Sequence, residues 1–186
     1  MNILVVMALQ IEAENHFNDI DILFTGVGKV NATYSLTQQI AKCRPDVVIN
    51  LGSAGGITVK SGNIVCCRSF IQRDMHVTPL GFEPYQTPFE NEIMLNNGLN
   101  IEGYNSSICA TGDSFVNCAP ENSNFDVVDM EAYALAKVCQ IQNIPFYCAK
   151  YISDNANENS ATDWQPSLND GAQKMRKIYD AIIQSI

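Results

Sequence analysis

The chain has 186 residues, 46% apolar and 17% charged, which suits one domain with a sizeable core and excludes a disordered chain. Twenty acidic against eleven basic residues leave a net charge of −9 with no basic cluster, which speaks against nucleic acid and an anionic membrane as partners. No apolar run approaches the ~20 residues that cross a bilayer.

Residues 3–9, ILVVMAL, form a continuous apolar run rich in branched side chains, the pattern of a strand buried on both faces. The N-terminus has no basic region ahead of this run and no small-residue cleavage site, so it reads as a first strand and not a signal peptide. Residues 20–25, IDILFT, make a second strand that ends at Gly26-Val27-Gly28, where the chain can turn sharply. Residues 29–43 read as a helix with Val30, Tyr34, Thr37 and Ala41 on one side. A buried strand over 46–51, DVVINL, runs into a glycine-rich turn, Gly52 to Gly56.

Another strand covers 63–71, followed by a long irregular loop over 72–90 that holds His76, Pro79, Gly81, Pro84 and Pro88. A loop of that length in a small domain usually carries function. Residues 105–110 form a strand leading into Thr111-Gly112-Asp113-Ser114-Phe115. A short strand over 126–128 precedes a helix over 129–142, and 145–152, PFYCAKYI, is the last strand. A polar loop over 153–167 leads to an amphipathic helix marked by Leu168, Ala172, Met175, Tyr179 and Ile182. Strands alternating with helices predict the α/β class: one domain over 1–186, three layers α/β/α, around a central mixed, mostly parallel sheet. There is no internal repeat or linker.

Seven cysteines, an odd number with no CxxC pair, sit mostly in apolar runs and read as buried thiols of a reducing, cytoplasmic compartment. With only His16 and His76 beside them, no zinc site is expected, and no other metal or cofactor is called for.

In open α/β sheets ligands gather at the carboxyl ends of strands. Glu12, Ser53, Asp113, Phe115, Asp129, Glu131 and Asp154 all fall at such ends here. Glu131 is the most telling, because Leu135 and Cys139 share its helical stripe and a carboxylate there needs a partner. Its plainer role is a charge in a first helical turn, stabilised by the dipole. Asp154 could equally be a loop cap, Glu12 with Glu14 a solvated acidic turn, and Phe115 a core residue rather than a stacking surface.

Four segments, in order, carry a resemblance to a known family: ILVVMALQIEAE at 3–14; GVGKVNA at 26–32 with PDVVINLGSAGG at 45–56; TGDSFV at 111–116; and VVDMEAYALAKVC at 127–139 with Ile152-Ser153-Asp154. The chain resembles the nucleoside phosphorylase/nucleosidase superfamily, and within it the 5′-methylthioadenosine/S-adenosylhomocysteine nucleosidases. The resemblance implies a phosphorylase/hydrolase-like fold and a purine nucleosidase that releases the base from 5′-methylthioadenosine, S-adenosylhomocysteine or a related adenine nucleoside. It implies that Glu12 activates water, Glu131 binds the ribose hydroxyls with Met130 beside it, and Asp154 protonates purine N7. Phe115 would stack on the base, the Val116 backbone would read its edge, and Ser53 with Ala54 and Gly55 would support the water and ribose region. It further implies a homodimer in which Val77, Leu80 and Pro88 reach the 5′ pocket of the neighbouring subunit.

Cleaving a glycosidic bond builds positive charge on the sugar and negative charge on the base, so carboxylates and a proton donor fit the chemistry, each worth roughly 10²–10⁴-fold. The glycine-rich turns carry no arginine and Glu12 would repel phosphate, which favours water as the nucleophile. The chain departs from the family at Gln10 and Ile11 beside Glu12, at Asp129 where glutamate is usual, in the short stretch between Glu12 and Leu23, and after Asp154. These differences leave three alternatives open: a purine nucleoside phosphorylase, a futalosine-type nucleosidase, and a catalytically silent nucleoside-binding protein.

Overall fold

The apolar runs become strands of a single mixed sheet in the computed structural model, which describes residues 1–118 and 123–186. In chain order these are β1 (Ile3–Met7), β2 (Ile22–Phe24), α1 (Lys29–Lys42), β3 (Val47–Gly56), β4 (Ile64–Gln72), β5 (Met94–Leu95), β6 (Ser106–Thr111), β7 (Val127–Asp129), α2 (Ala132–Gln142), β8 (Phe146–Asp154) and α3 (Ser160–Ser185). Parallel pairing joins β2 to β1, β1 to β3, β3 to β8 and β4 to β6 to β7. Antiparallel pairing joins β3 to β7, β4 to β8 and β4 to β5. Because β3 pairs with β8, β8 with β4, β4 with β6, β6 with β7, and β7 with β3 again, five strands close on themselves while β1 and β2 extend one edge.

Alternation along the strands sorts the core into two sides. Val6 and Val48 face α1 and α2, packing with Ala32, Leu36, Leu135 and Cys139. Val5, Met7, Ile49 and Leu51 face α3 and pack on Met175, Ile178 and Ile182. Each of these three α3 side chains is essentially fully buried, a contribution of roughly 1.5–3 kcal/mol apiece. The result is the three-layer α/β/α arrangement with a mostly parallel sheet.

Local differences from the sequence expectations have physical causes. The glycine-rich stretch 52–56 is not a turn; it is the second half of β3, paired on β8 and then on β7. Its glycines are there for close approach: a Cβ on Gly56 would lie 1.9 Å from the Val59 carbonyl oxygen. The α1 face that packs inward carries Ala32 and Leu36, while Val30 and Tyr34 face outward at 77% and 66% exposure. α2 begins at Ala132, not 129, because Asp129 is still in β7 and uses its carboxylate to accept the Ala132 N–H at 2.8 Å. α3 begins at Ser160, inside the stretch read as a loop, and carries Pro166 in its second turn. The two-residue strand β5 had no periodic signal at all.

Candidate active site

The carboxyl ends of β1, β3, β7 and β8 meet at one cavity of about 280 Å³, lined by Glu12, Ser53, Ala54, Gly55, Phe115, Val116, Met130, Glu131 and Asp154 among others. Nine of the twelve residues to which the resemblance assigns a role are therefore brought together. The other three are not part of this cavity: Leu80 ends a short 3-10 turn, Thr78–Leu80, at 74% exposure, and Val77 and Pro88 flank it in the segment after β4.

Glu12 sits on a one-turn 3-10 segment, Gln10–Glu12, immediately after β1 and is 3% exposed. Its Oε1 accepts the Ser53 N–H at 2.9 Å and the Ser53 hydroxyl at 2.7 Å. Its Oε2 accepts the Leu9 N–H at 3.1 Å. The extended backbone of β3 presents the Ser53 donors, and Gly52 next to them leaves room: a Cβ there would stand 3.6 Å from Glu12 Oε1 and 3.3 Å from Lys150 Nζ.

Glu131 occupies the N-cap position of α2 without capping it. Its carboxylate instead reaches across to α1 and accepts the Gly28 N–H at 2.8 Å. Gly28 has φ +95°, a left-handed backbone that only glycine adopts readily, so the residue at the start of α1 is constrained by the contact it makes. Burial pushes the Glu131 carboxyl up to about 7, with the neighbouring Asp129 and Glu12 charges adding to it and Lys150 and the Gly28 N–H opposing.

Asp129 lies beneath Glu131 in a buried ion pair with Lys150 at 3.0 Å. It also accepts the Thr111 hydroxyl at 2.5 Å, and Thr111 Oγ1 in turn accepts the Tyr133 N–H at 2.8 Å. Burial opposes ionisation of Asp129, but the Lys150 charge and these donors hold its carboxyl below the ordinary range. Lys150 is likewise held charged, well above the usual lysine range, by Asp129 against the effect of burial. This pair gives the floor of the pocket a fixed charge distribution in which each charge faces its opposite.

Asp154 is the last residue of β8. Its Oδ2 accepts the Ser153 hydroxyl at 2.8 Å and its Oδ1 accepts the Ala156 N–H at 2.9 Å. Ala156 reaches that position with φ +47°, a strained conformation for a residue with a Cβ. A Cβ on Gly55 would come within 3.1 Å of Asp154 Oδ1, so a side chain here would crowd this carboxylate. Phe115 stands at the rim, 53% exposed.

Among the lining residues not singled out in the sequence are Lys150, Arg73 and Trp164. Lys150 had a signal, as the single charge inside the apolar run PFYCAKYI. Arg73 follows β4 and clamps the Gly112–Ser114 segment, donating to the Gly112 carbonyl at 3.1 Å, the Ser114 hydroxyl at 3.0 Å and the Ser114 carbonyl, while its buried Nε–H has no partner among the described residues. Asp74 beside it accepts the Asp113 N–H at 2.9 Å, so the end of β4 holds the loop that carries Phe115. Trp164 lies in α3, in the stretch read as polar loop, and donates to Ser53. Among the described residues no group of three or more His, Cys, Asp or Glu is arranged to hold a metal ion.

A mixed α/β sheet with an acidic pocket at its strand ends defines an enzyme of small-molecule chemistry. Residues 16–184 match the family model described as the phosphorylase superfamily, and the chain belongs to that superfamily. Glu12 lies just ahead of the matched segment. Solved structures resemble the chain over nearly its whole length. They include the 5′-methylthioadenosine/S-adenosylhomocysteine nucleosidase of Neisseria meningitidis in complex with methylthio-immucillin-A (TM-score 0.87, 23% identity, 99% of each chain). The futalosine hydrolase of Helicobacter pylori strain 26695 matches with TM-score 0.89 and 19% identity, over 99% of this chain and 97% of that one. The 5′-methylthioadenosine/S-adenosylhomocysteine nucleosidase of Helicobacter pylori, with butyl-thio-DADMe-Immucillin-A, gives TM-score 0.90 and 18% identity over 99% and 98%. At these identities the likeness is one of fold.

Proposed function

We propose that this single-domain chain hydrolyses the N-glycosidic bond of a purine nucleoside, with 5′-methylthioadenosine, S-adenosylhomocysteine or a related adenine nucleoside as substrate. The observation that carries the reading is the convergence of three buried carboxylates, Glu12, Glu131 and Asp154, on one small cavity. In the reaction Glu12 takes a proton from water as the water oxygen bonds to C1′. The C1′–N9 bond breaks, its electron pair passes to the base, and Asp154, entering the step protonated, delivers its proton to N7. Glu131 holds the ribose hydroxyls and offsets the positive charge that develops on the sugar. Met130 packs beside the ribose, Phe115 stacks on the base, and the Val116 backbone reads its edge. Ser53, Ala54 and Gly55 form the wall behind the water.

Water is favoured over phosphate because the pocket is acidic and Lys150 is already paired with Asp129. Arg73, the other cation in the lining, turns its terminal nitrogens to Gly112 and Ser114. Turnover in phosphate-free ¹⁸O-water tests the reading: free base with the label at the C1′ hydroxyl supports it. Turnover that requires phosphate and yields a ribose 1-phosphate refutes it. A panel containing futalosine decides the nucleoside.

We further propose a homodimer through the outer face of α1 and α2, where Val30, Tyr34 and Ile141 are 77%, 66% and 63% exposed beside one shallow groove. The segment bearing Val77, Leu80 and Pro88 would then reach the 5′ side of the partner's pocket. Sedimentation of wild type as a dimer and of Tyr34→Glu as a monomer is the expected result; a monomeric wild type contradicts it.

A further inference from the structure

Two donors from one residue converge on Glu12 Oε1, and a third residue controls one of them. Trp164, the only tryptophan in the chain, lies five residues into α3 and lines the cavity. Its Nε1–H donates to Ser53 Oγ at 3.0 Å. Ser53 Oγ donates to Glu12 Oε1 at 2.7 Å, beside the Ser53 N–H at 2.9 Å. We propose that Trp164 is a positioning residue for Glu12, acting through Ser53. The proposal deepens the reading of Glu12 as the group that takes the proton from water.

The chemistry of the three groups gives the chain one direction. An indole N–H only donates, so Ser53 Oγ must accept from it; an ionised carboxylate only accepts, so the single Ser53 hydroxyl proton goes to Glu12. Without the indole the hydroxyl loses one of its two fixed partners and is freer to turn from Oε1 toward water. With it, Oε1 is saturated by two donors from one residue, whereas among the described residues Oε2 receives only the Leu9 N–H at 3.1 Å. The oxygen with acceptor capacity to spare, and hence the one that receives the proton from water, is Oε2. Position 164 lies in a helix and Ser53 in a strand, so the relay also ties the start of α3 to the wall of the pocket. A phenylalanine or leucine at 164 would fill the same space and leave the hydroxyl unpinned.

Packing and relay are separated by comparing Trp164→Phe with Trp164→Ala, both checked for wild-type thermal unfolding. On this reading Trp164→Phe lowers kcat about tenfold with 5′-methylthioadenosine as the probe, as for loss of one neutral hydrogen bond that orients the Ser53 hydroxyl, while KM stays within about twofold. Wild-type kcat in Trp164→Phe overturns the proposal. A second readout needs no turnover. The protein has one indole N–H resonance, and Ser53→Ala should move it toward the free-indole position and speed its exchange with solvent, with Glu12→Gln moving it less. An indole resonance unchanged in Ser53→Ala also overturns the proposal. Should wild type release no base from 5′-methylthioadenosine, the functional reading of the pocket fails by itself, and the resonance in Ser53→Ala still sustains or breaks the relay.

Discussion

Glu131→Gln should stabilise the folded protein at pH 8 while abolishing turnover. Glu131 is 7% exposed, and its carboxyl is raised from an ordinary 4.5 to about 7. A group whose folded value lies above its unfolded value favours folding below the unfolded value, and that contribution is lost as pH rises through the folded one. Between pH 4.5 and 7 the wild type therefore loses stability relative to a variant that cannot ionise. Each pH unit between the two values is worth about 1.4 kcal/mol, so the full penalty above pH 7 is roughly 3 kcal/mol, falling below about 1 kcal/mol at pH 5. Glutamine keeps an oxygen for the Gly28 N–H and has nearly the same volume, so little else changes. Urea unfolding of both proteins at pH 5 and pH 8 measures the difference directly, because every other titrating group is common to the pair. A stability difference that is the same at both pH values would refute the argument that burial and the Asp129 charge strain this carboxylate.

Three further outcomes follow from the same geometry. If ionised Glu131 holds the ribose, kcat/KM falls as pH drops below about 7, close to tenfold per pH unit, and a profile flat from pH 8 to pH 5 contradicts this. Lys150→Met breaks the 3.0 Å buried pair and leaves Asp129 uncompensated, at a cost of about 3–5 kcal/mol by denaturant titration; it also removes a charge that lowers the Glu131 value, so the acid limb of the pH profile moves to higher pH. Gly55→Ala places a methyl group 3.1 Å from Asp154 Oδ1 and from Val128 Cγ2, so unfolding experiments should show a loss of about 1–3 kcal/mol and steady-state kinetics a raised KM; unchanged values for both would mean the wall yields freely.

Much of the architecture was legible because the strands are buried on both faces and therefore read as unbroken apolar runs, as in ILVVM and DVVINL. Glu131 was legible for a related reason: a carboxylate on an apolar stripe demands a partner. What the sequence did not reveal is that the partner is the backbone N–H of Gly28, 103 residues away. Gly52 to Gly56 looks like a turn by composition, yet these glycines are in a strand, where Gly55 passes close to the Asp154 carboxylate and Gly56 to the Val59 carbonyl. The Val30 and Tyr34 stripe of α1 was legible, but not that it faces outward while Ala32 and Leu36 pack inside; local spacing cannot say which apolar stripe meets the sheet. The start of α3 was hidden by Asn, Ser, Asp and Pro166, residues that weaken helix propensity but fit near a helix N-terminus. Trp164 was lost with it, and Arg73 gave no sign that its partners would be carbonyls some forty residues on.

The most direct test of the account is base release from 5′-methylthioadenosine in phosphate-free buffer, followed by chromatography for wild type and Asp154→Asn side by side. The account predicts free adenine from wild type and hardly any from the variant, since asparagine has no acidic proton to give to N7. Equal release from both proteins would contradict the role of Asp154, and release only after phosphate is added would contradict hydrolysis itself.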